Sequence, residues 1–252
     1  METPETIWLE YFSGGVPTLE YFRLTLEDVR GISKKDASPQ DGINRLQELC
    51  FIGLMSYFEA FCKDHFASLI NIEPSLVVNL KNNGQNVDID STRVVIYGEA
   101  FKHRIGFVLA EKYDFGSSRK INSLFLSLLK VTPFSTSEVK RYDELLRDRN
   151  LLIHHSGTFT LAYLEQADVP SITVESDAFY NSRVIRQAEV IEATEFIETV
   201  AEKLVLGSHS ALVEYVAANS IQYSGERKKA LDLMLGSKAI QNKSRGRLRP
   251  AT

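Results

Sequence analysis

The sequence predicts an all-α protein, a bundle of about four or five main helices. Three observations predict it. Apolar residues recur at intervals of three and four along most of the 252 residues, which is the spacing of one helix face. Strand-like character is confined to two brief stretches, 159–163 and 171–174. Ser135 stands three positions before Glu138, the pattern of a capping box that satisfies free amides at a helix start.

The elements follow in order. A short opening segment, 5–12, is closed by Gly14-Gly15 and Pro17, and a helix is predicted over 18–30. A polar loop, 33–42, precedes a long helix over 43–70. Its most hydrophobic part, 51–62, is too short to span a bilayer and contains Glu59, so it reads as a central buried helix. A loop at 82–88 carries Gly84; helices are expected over 91–112 and 119–130, separated by 114–118. The next helix starts at the capping box, and Gly157 suits its stop because glycine takes left-handed backbone angles without steric cost. Residues 171–174 are expected to pair with 159–163 in a small hairpin. A long helix over 182–206 continues helically to about 223, and 226–235 reads as a last amphipathic helix. The resulting division is an N-terminal helical extension (1–39), a main helical domain (40–206), helices packed on it (207–237) and a basic tail (238–252). No internal repeat or low-complexity tract occurs.

Composition bounds the function. Apolar content of 44% and charged content of 25% match an ordinary soluble globular protein. No basic segment followed by an apolar run opens the chain, so no secretory signal is expected. Cys50 and Cys62 lie about 18 Å apart along one predicted helix and cannot bridge within it; reduced thiols and a cytoplasmic location are the expectation. A net charge of −4 argues against a protein that coats nucleic acid generally, although a local basic patch suffices for an RNA enzyme. Lys243, Arg245, Arg247 and Arg249 form such a patch in the tail, readable as a solvated terminus or as a weak RNA-binding arm.

The capping-box helix holds the residues that carry chemistry. Val139, Tyr142, Leu145, Leu146, Leu152 and Ile153 project within one arc about 140° wide, and Arg149 falls inside it. A guanidinium in an apolar interior needs a partner. Arg149 therefore reaches a buried carboxylate, faces a wet cleft or faces a second subunit; a structural ion pair or a snorkelling side chain is the plainer reading. Glu59 is a candidate carboxylate, unless it sits at an exposed edge. Asn150 and His154, four apart, share a face, with Arg147 nearly a turn further back. Arg149 and His154 project about 140° apart on a regular helix. They converge only if the helix ends near His154 or if a partner helix supplies one of them. Arg147 shares a face with His154 more naturally, and His155 is a secondary phosphate contact or a surface residue.

Three rival chemistries are disfavoured. His154 and His155 point about 100° apart on a helix, and the cysteines lack paired short spacing, so no metal site is expected. Gly116-Ser117-Ser118-Arg119-Lys120 lacks the spaced glycines of a nucleotide-triphosphate loop, and no G-x-S-x-G occurs. No cofactor is expected.

The stretch Arg149-Asn150-Leu151-Leu152-Ile153-His154, with Gly157 after it, resembles the signature of the HEPN superfamily, as found in bacterial defence and toxin–antitoxin systems. An upstream aromatic-rich helix with Phe51, Tyr57, Phe58 and Phe61 adds to the likeness, which covers residues 40–206. The resemblance implies a HEPN-like helical bundle, homodimeric and acting as a metal-independent endoribonuclease, with the motifs of two protomers meeting at a two-fold interface. It implies RNA as substrate, an antitoxin or defence-complex partner, and no membrane. Arg149, Asn150 and His154 are then the catalytic residues, with Arg147, His155 and Glu59 secondary. The alternative it carries is an inactive dimerising or RNA-binding module. Ser156 stands where certain toxins of this family carry a tyrosine that a partner modifies, which sets this chain apart from that mode of neutralisation.

Overall fold

The computed structural model describes residues 8–35, 43–167 and 182–236. The fold is all-α, as the spacing predicts. A 3-10 turn at Trp8–Tyr11 leads into α1 (Thr18–Lys35) and α2 (Arg45–Ile72). Then come α3 (Leu76–Asn82), α4 (Ser91–Tyr97), a second 3-10 turn (Gly98–His103), α5 (Ile105–Ala110) and α6 (Ser118–Leu129). The chain finishes with α7 (Thr136–His155), α8 (Leu161–Gln166), α9 (Gln187–Ala218) and α10 (Gly225–Leu233). Among the described residues the only strand-like pairing is an isolated antiparallel bridge between Thr158 and Ser182. Among them, too, no helix is long and apolar enough to cross a membrane.

Several expected elements differ. The single helix over 91–112 is broken into α4, a 3-10 turn and α5, because Gly98 takes φ +51 and ends α4. Gly106 also serves the tertiary packing. A Cβ there would lie 1.9 Å from the Ala67 carbonyl oxygen, and its amide donates to Asn71 Oδ1 at 2.7 Å. Residues 161–163, expected in a hairpin, are helical; the Thr160 hydroxyl accepts from the Tyr163 amide and caps α8. The other half of that hairpin, 171–174, lies outside the described residues. The helix after it begins at Gln187 rather than 182 and ends at Ala218 rather than 223.

The chain forms two compact units. The first draws its described residues from 1–23, 60–133 and 200–252. Its core holds Phe66 edge-on to Phe115 and Phe125, each at 5.5 Å between ring centres, and Phe22 stacked on Phe61 at 4.7 Å. Edge-to-face and offset pairs suit the aromatic quadrupole and add to the area these rings bury. Within that core His65 is fully buried, bonded through Nδ1 to Thr18 Oγ1 at 3.0 Å and through Nε2 to Ser208 Oγ at 2.7 Å. The Ser208 hydroxyl also donates to the Leu204 carbonyl at 2.8 Å, so its oxygen is left to accept from Nε2–H and the Thr18 hydroxyl donates to Nδ1. The neutral ring is fully satisfied.

The second unit draws its described residues from 24–59 and 134–199. Phe58, Phe134 and Tyr142 make an aromatic triangle with ring centres 5.0 to 6.0 Å apart, which seats α7 on α2. The buried Gln47 side chain accepts from Ser33 Oγ at 2.7 Å and donates to the Ser33 carbonyl at 3.0 Å, tying α2 to the end of α1. Arg30 pairs with Glu198 and Arg141 with Glu192 at the edges of the same unit. Cys50 and Cys62 are both buried and unbridged.

Burial, with the neighbouring His209 adding to it, pulls the His65 imidazole down to about 3 from its ordinary 6.5. In acid the unfolded chain therefore binds a proton that the folded chain refuses, and His65 supports folding fully above pH 6.5. That contribution falls away as pH drops toward 3. Urea unfolding across this window should show stability declining with pH, and His65→Gln should flatten the decline between about pH 6 and 4. An unchanged slope in the variant would assign the acid sensitivity elsewhere.

Candidate functional site

The α7 helix is nucleated as its sequence dictates. The Ser135 amide donates to Glu138 Oε2 at 2.7 Å while the Glu138 amide donates to Ser135 Oγ, the reciprocal pair of a capping box. Its buried face consists of Tyr142, Leu145, Asp148, Leu151 and Leu152. That face is turned by about 80° from the arc the apolar residues trace in projection. Asp148 is carried inward, while Arg149 is moved to a half-buried rim position and Ile153 to an exposed one.

A polar lock explains the turn. Asp148 Oδ1 accepts from the Tyr163 hydroxyl at 2.6 Å, and Oδ2 accepts from Arg183 Nε at 3.0 Å. Arg183 also donates to Glu189 Oε1 at 2.5 Å and to the Val184 carbonyl at 2.6 Å. Burial pulls the Arg183 guanidinium down, but Glu189 and Asp148 outweigh it and hold the group firmly charged. Burial, with the Asp148 hydrogen bond, pushes the Tyr163 phenol up to about 12, so it stays protonated and donating. Neither Asp148 nor Arg183 stands out in the sequence. Asp148 is a lone acid in the row of Tyr142 and Leu145, and its partners arrive from 15 and 35 residues away.

The same lock fixes the end of α7. Ser156 and Gly157 take left-handed angles, φ +52 and +83, and the Gly157 amide returns to the Leu151 carbonyl at 3.3 Å. The Arg183 amide donates to the Gly157 carbonyl at 2.8 Å. A Cβ at Gly157 would press on the Arg183 carbonyl and Leu152 Cδ2, both at 3.4 Å, so the glycine is required by φ and by this close approach.

The candidate residues are thereby placed as follows. Arg149 donates through Nη1 to Asn150 Oδ1 at 3.0 Å and pairs with no carboxylate among the described residues. Asn150, His154 and His155 are exposed. Arg147 is engaged elsewhere: it donates to the Gln166 carbonyl at 2.9 Å and lies over the Tyr163 ring at 5.5 Å. Glu59 is half-buried and makes no ion pair with an arginine among the described residues. Lys243, Arg245, Arg247 and Arg249 lie outside the described residues.

The structure thus brings Arg149 and Asn150 together and keeps Asn150 and His154 on one exposed face. It does not bring Arg149 to His154, because α7 stays helical through His155 and the two side chains project about 140° apart. The two histidines occupy the last turn of the helix. Chemically, the last turns of α7 offer a cation that, among the described residues, bonds only a neutral amide, and, turned away from it, two exposed imidazoles. No group of three or more His, Cys, Asp or Glu suited to a metal occurs among the described residues. Comparison with family models, with curated proteins and with solved structures returns no match for this chain.

Asp148→Ala leaves the Arg183 cation and the Tyr163 hydroxyl without their shared acceptor. With both partners partly solvated, the expected loss of stability is about 2–3 kcal/mol by urea unfolding. A loss below about 0.5 kcal/mol would remove Asp148 from the centre of the unit.

Proposed function

We propose that this chain is a metal-independent endoribonuclease of the HEPN type, working in antiviral defence or a toxin–antitoxin system, with Arg149, Asn150 and His154 as its catalytic groups. The observation that carries the reading is the state of Arg149. The other arginines of α7 are committed, Arg141 to Glu144 and Glu192 and Arg147 to Gln166 and Tyr163, whereas Arg149 holds only a neutral amide among the described residues. A guanidinium that pairs with no carboxylate among the described residues is suited to a phosphodiester.

RNA brings its own nucleophile, the ribose 2′-hydroxyl. His154 takes the proton from that hydroxyl as the 2′-oxygen attacks the adjacent phosphorus, and the P–O5′ bond breaks. Arg149 neutralises charge growing on the non-bridging oxygens, and Asn150 adds a neutral hydrogen bond to the phosphate or orients His154. The 5′-oxygen leaves with a proton drawn from solvent, giving a 2′,3′-cyclic phosphate and a 5′-hydroxyl, and His154 returns its proton to solvent. Since Arg149 and His154 diverge on one helix, a second copy supplies one of the pair to each site. That same divergence favours a second reading, an inactive module that grips RNA through Arg149 without cutting it.

Purified protein incubated with mixed RNA and excess chelator should cleave it, leave DNA of the same sequence intact, and lose about 10²–10⁴ in rate on His154→Ala. RNA retained but uncut would select the binding module. Cleavage of DNA at the RNA rate would defeat the mechanism, since DNA lacks the 2′-hydroxyl.

A further inference from the structure

Phe159 follows the turn that closes α7, and it is an aromatic ring kept at the surface. The second unit buries Phe58, Phe134 and Tyr142 almost completely, whereas Phe159 is half-buried and its neighbours Thr158, Leu161 and Ala162 are exposed. The Thr158 amide donates to the His155 carbonyl at 2.9 Å, so residues 155–158 fold back as a hydrogen-bonded turn. Such a turn holds its ends within about 7 Å, and one further residue adds about 3.8 Å. The Phe159 backbone therefore lies no more than about 11 Å from that of His155.

The ring has a fixed backing. It stacks on Tyr163 with ring centres 5.3 Å apart and planes 25° from parallel. Tyr163 is itself held, by its hydroxyl bond to Asp148 Oδ1 at 2.6 Å and by the Arg147 guanidinium over its ring at 5.5 Å. Buried Leu164 seats the same short helix. A flat ring already aligned on a second one is a surface on which a third ring extends the stack.

The charge around the stack narrows the ligand. Arg147 donates to the Gln166 carbonyl and Arg149 to Asn150, and neither meets a carboxylate among the described residues. Asp148 has both oxygens taken by Tyr163 and Arg183. Glu165, the one acid of α8, projects about 160° from Tyr163. Aromatic rings beside uncompensated cations hold single strands, the bases on the rings and the backbone on the cations. A base inside a duplex has both faces covered by its neighbours and cannot reach the ring.

We infer that Phe159, backed by Tyr163 and Arg147, is a stacking platform for an unpaired base of single-stranded RNA, next to the histidine end of α7. The inference rests on the reading of α7 as an RNA site and names the form of RNA that the site takes.

The probe is a mixed-sequence single-stranded oligoribonucleotide with 2′-O-methyl riboses, which keeps its bases and lacks the hydroxyl needed for cleavage. Phe159→Leu keeps an apolar side chain and removes the flat ring; it should weaken binding of this strand by about 5-fold or more. The same variant should bind a strand without bases, and a duplex, as the wild type does. Phe159→Trp should bind the strand as the wild type does. Its added fluorescence should be quenched by the strand with bases and not by the one without, with the wild type, whose single tryptophan is Trp8, as control. Binding unchanged by Phe159→Leu, or weakened equally with and without bases, would overturn the platform and leave the RNA reading of α7 standing. A wild type that binds no RNA would defeat both. Base-dependent loss in a protein that cuts no natural RNA would support the platform and fail the nuclease alone.

Discussion

The buried carboxylate of Asp148 is the constraint from which the second unit is organised. A charge at that depth is tolerated only with its acceptor sites filled, and Tyr163 and Arg183 fill them from two separate segments. Arg183 in turn needs Glu189 at the start of α9. One carboxylate therefore joins α7, α8 and α9 and sets the rotation of α7 about its own axis. That rotation decides which residues of the helix meet solvent. Had the purely apolar arc been buried, Arg149 would have needed an internal acid; with Asp148 inside instead, Arg149 sits at the rim and bonds only Asn150 among the described residues.

Much of the fold is legible in the sequence because it is written in period. The helices α1, α2, α6, α7 and α9 each bury a face large enough to repeat over several turns, and such repetition survives small errors at the ends. Short elements are less legible. α3 spans about two turns, too few for a pattern to declare itself, and the alternation in Phe159–Thr160–Leu161 resembles a strand until the Thr160 cap is seen. The break between α4 and α5 depends on backbone angles at Gly98 and on the approach of Gly106 to Ala67, a residue far away along the chain.

The candidate site was legible to a different degree. Its composition, an arginine and an asparagine ahead of paired histidines with a glycine stop, is a local pattern. Its facing is not local. A helical projection assigns the buried side by apolar content, and on α7 a single acid with distant partners outweighs Val139, Leu146 and Ile153 at the other edge of the arc. Arg147, attractive by spacing alone, is occupied by α8, a contact no spacing rule foretells.

The proposed chemistry turns on Arg149 of one copy and His154 of the other serving a single phosphodiester. Subunit complementation tests this directly: Arg149→Ala and His154→Ala proteins, each inactive alone, are mixed under conditions that let subunits exchange. Random pairing makes about half the dimers mixed, and each mixed dimer holds one intact composite site of two, so about a quarter of the wild-type RNA cleavage should return. A mixture no more active than its separate components would contradict a site shared between the two copies.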